Sequence, residues 1–389
     1  MGRNLPAGRV GACAGVSYNG SGPAGPGGPL RRALAVDGVS SAEGKVQALV
    51  KYAPGSGNVE VREVPVPEPG PGQVRIRVEA AGICGSDLHI YHGDIKFEVR
   101  PPVIMGHEFA GTIDRLGPGV QGLEPGMAVV SETTASTCGT CQPCRHGCYN
   151  LCPERLIIGY VYDGCFARYI CVDAHRVHRL PPQVNTLAGA LCEPLAVAVH
   201  AVLEQGRVRA TETVAITGPG AIGLLTAQVA TAVGATVILC GTGADASRLA
   251  LARELGIEHV LNVERDDVPG ALAELTDGRG ADAFFECAGA QAAAQMGLSL
   301  VKRGGRYVQV GLFGRPVQVD LELLAYKEIQ ATGAISSHRE SWEKMLQLLG
   351  AGRVRTEPLI SHRFALGDWE EAFRVFEARE GVKVVFIPE

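Results

Sequence analysis

The sequence predicts an α/β chain in two parts: a small barrel-like unit of β-strands, followed by a doubly wound parallel sheet covered by helices. Three observations carry this. Residues 46–190 hold short β-type runs separated by Pro and Gly clusters. From about Leu191 to Lys327, strand-like and helix-like runs alternate. The chain has 389 residues, 46% of them hydrophobic, enough for two separate cores.

In chain order, residues 1–45 come first, with eleven glycines, four prolines and no apolar period. Such a segment cannot bury enough surface to offset its ordering entropy, so a disordered extension is expected, and no apolar run marks it as a secretory signal. The fold should begin with KVQALVKY at Lys45–Val50, which alternates like a strand. Val74–Val78 (VRIRV), Phe109–Leu116 and Met127–Ser131 are further strands, with PVPEPGPG at 65–72 as a spacer. TVAIT (213–217) reads as a buried strand, Gly223–Val233 as an apolar helix and TVILC (236–240) as the next strand. Ser247–Leu255 is a helix, with Asp245 before it and Gly256 just past its end. ADAFFEC (281–287) and GRYVQVG (305–311) are further strands, and alternation of this kind implies parallel pairing. Beyond Lys327 come helices at Ser341–Leu349 and Asp368–Ala378 and a last strand, Lys383–Ile387.

A net charge of −5 offers no nucleic-acid surface and no polybasic membrane anchor. Thr213–Ala244 carries no charge and is long enough to span a bilayer, but Gly218, Pro219, Gly220, Gly223 and Gly234 interrupt it. Neither nucleic acid nor membrane is therefore an expected partner.

TGPGAIG (217–223) follows a strand and opens a helix, the context that turns a weak glycine motif into a nucleotide site. Gly218 makes the turn, Gly220 lets a pyrophosphate approach, Gly223 lets helix and strand pack, and Pro219, Ala221 and Ile222 complete the loop. The helix N-terminus then faces the phosphates. A purely structural glycine turn is the plainer alternative. The second strand ends in Gly241 and Thr242 rather than in an acid for the ribose of NAD. Asp245 suits a helix cap as well as a ribose, and Arg248 is a candidate partner for the 2′-phosphate of NADP. NAD and NADP both stay open, the missing acid tilting towards NADP.

Twelve cysteines in such a chain point to metal or redox chemistry rather than disulfides. Cys138, Cys141, Cys144 and Cys152 have the spacing C-x2-C-x2-C-x7-C, which can close a tetrahedral shell around a structural Zn²⁺. Cys148 lies in the same lobe as a substitute ligand, and an iron–sulfur cluster takes four cysteines as well. A second set is spread along the chain: Cys84 in GICGSDLH, His107 and Glu108 in MGHEFAG, and Glu193 in CEPLA. One thiolate, one imidazole and a carboxylate leave a zinc position open to substrate. Taken singly, Cys84 is a core thiol, His107 a core histidine and Glu193 a helix N-terminal acid. Their joint occurrence with the nucleotide motif makes the case.

GICGSDLHIYHGD, PPVIMGHEFAGTI, CGTCQPCRHGCYNLC, GCFARY, EPLAVAVHA, TGPGAIG and ECAG together resemble the zinc-containing medium-chain dehydrogenases, near their sorbitol and threonine branches. The likeness covers roughly residues 46–389. It implies a GroES-like catalytic barrel at 46–190, completed by 328–389, and a Rossmann domain at 191–327. It also implies two zinc ions per chain, NAD or NADP, a homo-dimer or tetramer, and Cys84, His107 and either Glu108 or Glu193 on the catalytic ion. The implied reaction moves a hydride between a secondary alcohol or polyol, or its ketone, and the nicotinamide. Ser86 takes the alcohol proton, His89 passes it to solvent, and Asp87 holds His107. The segment around Ser86 resembles the threonine enzymes and Glu193-Pro194-Leu195 the polyol enzymes, so a 3-hydroxy amino acid is the alternative substrate. A nucleotide-binding relative without turnover is the rival of another class, which the intact ligand set opposes. Tyr91, Phe97 and Phe313 are candidate pocket walls. Thiolates of this kind need a reducing compartment, so a cytoplasmic location is expected.

Overall fold

The computed structural model describes residues 44–389. All of the expected N-terminal extension except Gly44 and Lys45 lies outside them.

The first part is built on two sheets, antiparallel except where Ile360–Phe364 runs parallel to Lys383–Phe386. Lys45–Lys51 pairs with Val59–Pro65 on one side and Val103–Ile104 on the other. The larger sheet runs Val177–Arg179, Ala128–Ser131, Glu108–Leu116, Gln73–Gly82, Lys383–Phe386 and Ile360–Phe364, with Tyr169–Asp173 also on Gln73–Gly82. Gln73–Gly82 alternates buried Val74, Ile76 and Val78 with more polar neighbours, as the period-2 pattern requires. The chain therefore returns from its far end to complete the first sheet: Lys383–Phe386 lies antiparallel to Gln73–Gly82.

The second part is a six-stranded sheet, every pair parallel, in the order His259–Asn262, Thr236–Gly241, Thr213–Thr217, Ala281–Glu286, Val301–Gln309, Gln330–Gly333. Thr213–Thr217 is buried along its whole length, as a central parallel strand covered on both faces must be. The order reverses between Thr213–Thr217 and Ala281–Glu286, the switch point at whose carboxyl ends such sheets bind their ligands. The fold is thus a doubly wound parallel sheet joined to a smaller β-domain.

The boundary expected at 327 differs from what is observed. Gln330–Gly333 is the sixth strand of the parallel sheet, and helix Arg339–Gly350 places Trp342, Met345 and Leu349 in the same core as Leu195, Leu224 and Ile216. That core also takes in Ala80, Ala110 and Val130 of the first sheet. Helix Cys192–Val199 lies within it, so its first turn stands where the two parts meet. Among the described residues no helix is long and apolar enough to cross a membrane.

Candidate active site

Four sulfurs meet in the lobe after strand Thr134–Ser136. The ligand atoms of Cys138, Cys141, Cys144 and Cys152 all lie within 4.8 Å of one another. Cys138 Sγ is 3.6 Å from Cys152 Sγ and 4.0 Å from Cys144 Sγ. Thiolates bound at ~2.3 Å in a tetrahedron stand roughly 3.8 Å apart, so the donor set fits zinc. The Cys141 N–H donates to Cys138 Sγ at 3.3 Å. That backbone contact foremost brings the Cys138 thiol down to about 6. Cys148 is outside the cluster.

The second set assembles around helix Gly85–His92. Cys84 is its N-cap, and the Cys84 N–H donates to Asp87 Oδ2 at 2.8 Å. Gly93 ends the helix in the left-handed region, φ 74°. Cys84, His107 and Glu108 present donor atoms within 4.8 Å of one another. His107 comes from the loop before strand Glu108–Leu116, and its Nε2 is 3.5 Å from Ser86 Oγ. Its Nδ1 faces the fully buried Asp87 Oδ1 at 3.6 Å, and neither atom has another partner. Burial disfavours the His107 cation, but Asp87, Tyr160 and Cys84 together outweigh it and raise the pKa well above the ordinary value. One thiol, one imidazole and one carboxylate, with a second-sphere acid behind the imidazole, form a donor set that fits a catalytic zinc.

Glu193 is half-buried beside this set but outside its radius. Burial first, then the Glu108 charge, raise its pKa. Glu108 in turn forms a buried ion pair with Lys383, from the strand that closes the first sheet. Burial opposes the Lys383 charge, yet Glu108 holds the amine above its ordinary pKa. A Cβ on Gly82 would lie 2.5 Å from Glu108 Oε2 and 2.9 Å from Lys383 Cε, so only glycine leaves room for the pair. Tyr160 packs edge-on against His107 at 5.6 Å, and burial pushes its phenol up to about 12. His89 is half-exposed, its Nδ1 2.9 Å from Asp94 Oδ1.

The glycines of 218–223 divide by function. Gly218 has φ +84°, and a Cβ there would meet Ala288 N and Cα at 2.6 Å; on Gly223 it would meet Gly218 O at 1.9 Å. Gly220 has nothing within 4 Å of such an atom. It opens onto free space at the N-terminus of the twelve-residue helix Ala221–Ala232, the room a pyrophosphate needs. Pro219, Ala221 and Ile222 line this turn, and Gly241 lets Pro219 pack, a Cβ there lying 2.8 Å from its Cγ.

Arg248 is not placed as expected. Its Nη2 donates to Gly381 O at 2.6 Å and its Nη1 is 3.5 Å from Asp245 Oδ1, so the guanidinium is spent on the protein. The loop carries acids instead. Thr242 N–H donates to Asp245 Oδ2 at 3.0 Å, and Gly243 N–H to Glu264 Oε2 at 2.8 Å. Of the candidate walls, Tyr91 packs on Trp369 and Phe373, and Phe313 on the core of the parallel sheet. Phe97 alone reaches the site, 6.4 Å from Tyr160.

Lys383, Tyr160 and Glu264 are site residues that sequence spacing did not single out. A lysine inside the apolar run VKVVFI was the one available signal. His200, Glu204 and His338 also converge. His338 Nε2 is 2.8 Å from Glu204, whose carboxylate also accepts from Ser341 Oγ at 3.1 Å. This knot braces the π-helical turn His200–Gln205 against the start of helix Arg339–Gly350.

Residues 70–182 match the alcohol dehydrogenase GroES-like domain, and residues 221–351 the zinc-binding dehydrogenase domain. The chain is 42% identical to a sorbitol dehydrogenase of Halalkalibacterium halodurans, over 88% of this chain and 99% of the relative. It is 39% identical to an L-threonine 3-dehydrogenase of Pyrococcus horikoshii, again over 88% and 99%. A zinc-binding dehydrogenase of Sinorhizobium meliloti, solved with NADP, superposes with a TM-score of 0.80 at 33% identity, covering 89% of this chain and all of that one. The chain belongs to the zinc-containing medium-chain dehydrogenases, oxidoreductases that act on CH–OH groups.

Proposed function

We propose that the protein is a zinc- and NAD(P)-dependent dehydrogenase of secondary alcohols or polyols, with its reaction centre at Cys84, His107, Glu108 and Glu193. The convergence of Cys84, His107 and Glu108, with Glu193 on the helix where the two parts meet, carries this reading. The catalytic barrel is assigned to 46–190 with the returning strands of 328–389. The nucleotide domain starts at 191 and runs past 327 to Gly333. Two zinc ions per chain are assigned, the second to the four-cysteine lobe.

Bound zinc supplies Lewis acidity and the nicotinamide a hydride acceptor. The carbinol carbon gives up a hydride and the hydroxyl a proton, leaving a ketone and reduced cofactor. Ser86 Oγ, beside His107, takes the proton. His89 releases it to solvent, its Nδ1 held by Asp94. Asp87 fixes the His107 ring, and Lys383 holds Glu108 as a counter-charge. Packing of the two parts against helix Cys192–Val199 keeps water from the centre. For the cofactor we favour NAD. The carboxylates of Asp245 and Glu264 flank Thr242–Gly243, and Arg248 is engaged elsewhere.

A homo-oligomer is supported by the exposed Leu312, Leu321 and Tyr326 near the free edge of the parallel sheet. Sedimentation would report it. A cytoplasmic location is supported by the thiolate ligands. The test is a screen of polyols, simple secondary alcohols and L-threonine with both cofactors, with zinc analysis of the same sample. Turnover with about two zinc ions per chain is expected, on the two ligand sets. One zinc ion and no turnover would point to a nucleotide-binding protein instead. In the same assay His89→Ala should remove a limb of the pH–rate profile, and an unchanged profile would take His89 out of the relay.

A further inference from the structure

Arg155 carries a positive charge that the hydride-transfer chemistry does not use. It follows the four-cysteine lobe, its N–H bound to Cys152 O at 3.1 Å. Its Nε donates to Thr134 Oγ1 at 2.8 Å, and its Nη2 to Thr133 Oγ1 at 3.0 Å and Ser336 Oγ at 2.8 Å. All three acceptors are neutral hydroxyls, and two belong to buried threonines. Among the described residues no carboxylate lies within ion-pair distance of this guanidinium. Other partly buried arginines differ: Arg75 is 2.6 Å from Asp114 and Arg176 3.0 Å from Glu132. Among the described residues the two Nη1 protons have no acceptor, and Nη1 is not sealed from solvent.

The short strand Leu156–Ile157, paired with Thr134, leads from Arg155 to Tyr160, which packs on His107. Burial lowers the Arg155 pKa. The charged and ionisable groups it senses are Glu193 first, then Tyr160 and Tyr149. Tyr160 packs on His107, and Glu193 stands next to Glu108. A desolvated guanidinium with no anion of its own is costly, and the Glu193 charge is shared with the metal centre. Three hydroxyls fix the guanidinium plane, so the remaining edge is preset for a planar, two-point contact with oxygen.

We propose that Arg155 receives an anionic group of the substrate, so that this enzyme acts on a hydroxylated small molecule bearing a phosphate or carboxylate rather than on a neutral polyol. The inference rests on the reaction centre assigned above. The oxidised carbinol sits on the Cys84–His107 side, and the anion a few bonds away at Nη1. The competing role is a structural clip joining strand Thr134–Ser136 to the turn at Ser336, where φ is +57°.

The test pairs each neutral polyol with its terminal phosphate, and each neutral diol with the matching 3-hydroxy acid, on the zinc-loaded enzyme. The anionic member is expected to win by about 30-fold in kcat/KM, the scale of one charge-assisted contact. The phosphate and carboxylate arms then identify the group. Arg155→Gln should remove that advantage and change the neutral member less than about threefold. Equal losses on both members, or a wild-type preference for neutral substrates, would make Arg155 a clip and overturn the proposal. Calorimetry with inorganic phosphate and with acetate supplies a readout apart from turnover: binding to the wild type, lost in Arg155→Gln. No binding to the wild type, or binding that survives the substitution, also overturns it. If the anion binds through Arg155 but no substrate is oxidised, the reaction assignment fails and the anion site stands. Should Arg155→Gln not fold, Arg155→Lys keeps the charge without the fork. It should retain anion binding at reduced affinity, and wild-type affinity in that variant would refute two-point recognition.

Discussion

Gly220→Ala separates the nucleotide site from the fold. Gly220 has φ −73° and ψ −175°, a conformation open to alanine, and an added Cβ meets nothing within 4 Å. The folded state should therefore tolerate the methyl. Restricting the unfolded chain is worth roughly 0.4–1 kcal/mol at such positions, so the apparent Tm should hold or rise by about 1–4 °C. The space that takes the methyl is the space through which a pyrophosphate approaches the helix N-terminus. NADH affinity should fall at least tenfold, about 1.4 kcal/mol. Gly223→Ala is the control. Its Cβ would sit 1.9 Å from the Gly218 carbonyl oxygen, so it should lower Tm and affinity together. Fluorescence titration of NADH and thermal melts of both variants supply the data. Wild-type NADH affinity in Gly220→Ala would refute the placement of the cofactor over this turn.

Further outcomes follow from the same geometry. Cys138→Ser should remove one of two zinc ions per chain. Because the Cys138 pKa is lowered to about 6, its thiolate contribution is complete above the ordinary thiol value and is lost as pH falls through 6. Zinc release followed with a chromogenic chelator should thus rise as pH drops below about 6, and release already complete at pH 7.5 would contradict the assignment. Lys383→Met strands the buried Glu108 carboxylate. Breaking such a pair costs about 3–5 kcal/mol, or roughly 6–20 °C in Tm, and Glu108→Gln in the same chain should recover part of the loss in a melting experiment. Glu264→Gln removes one of two carboxylates at the ribose end of the crevice. The NADP/NAD ratio of kcat/KM should rise by about tenfold, and no change would place Glu264 outside the cofactor site.

What could be read from the chain, and what could not, follows the range of the interactions. Gly218–Gly223 is local: the turn, the close packing and the helix start fall within six residues, so strand context suffices to place each glycine. The cysteine lobe is local for the same reason. Cys84 and His107 are 23 residues apart, but each sits in a segment whose neighbours mark it. Arg248 sits on the expected helix, but helical position does not specify which carbonyls its side chain will meet, and Gly381 lies 133 residues away. Gln330–Gly333 is an edge strand reading QATG, with no alternation to betray it, so the parallel sheet ran past its expected end. Lys383 shows the limit most clearly. Nothing in VKVVFI says that its amine will meet Glu108, 275 residues earlier; only the return of the last strand onto Gln73–Gly82 does so. That return also explains Gly82, a residue with no chemistry of its own that vacates the volume the ion pair fills. The choice between Glu108 and Glu193 at the metal therefore depends on strand pairing at the far end of the chain. Glu108, matched by Lys383, holds its carboxylate within reach of Cys84 and His107, whereas Glu193, whose charge burial and Glu108 both disfavour, stands outside that set.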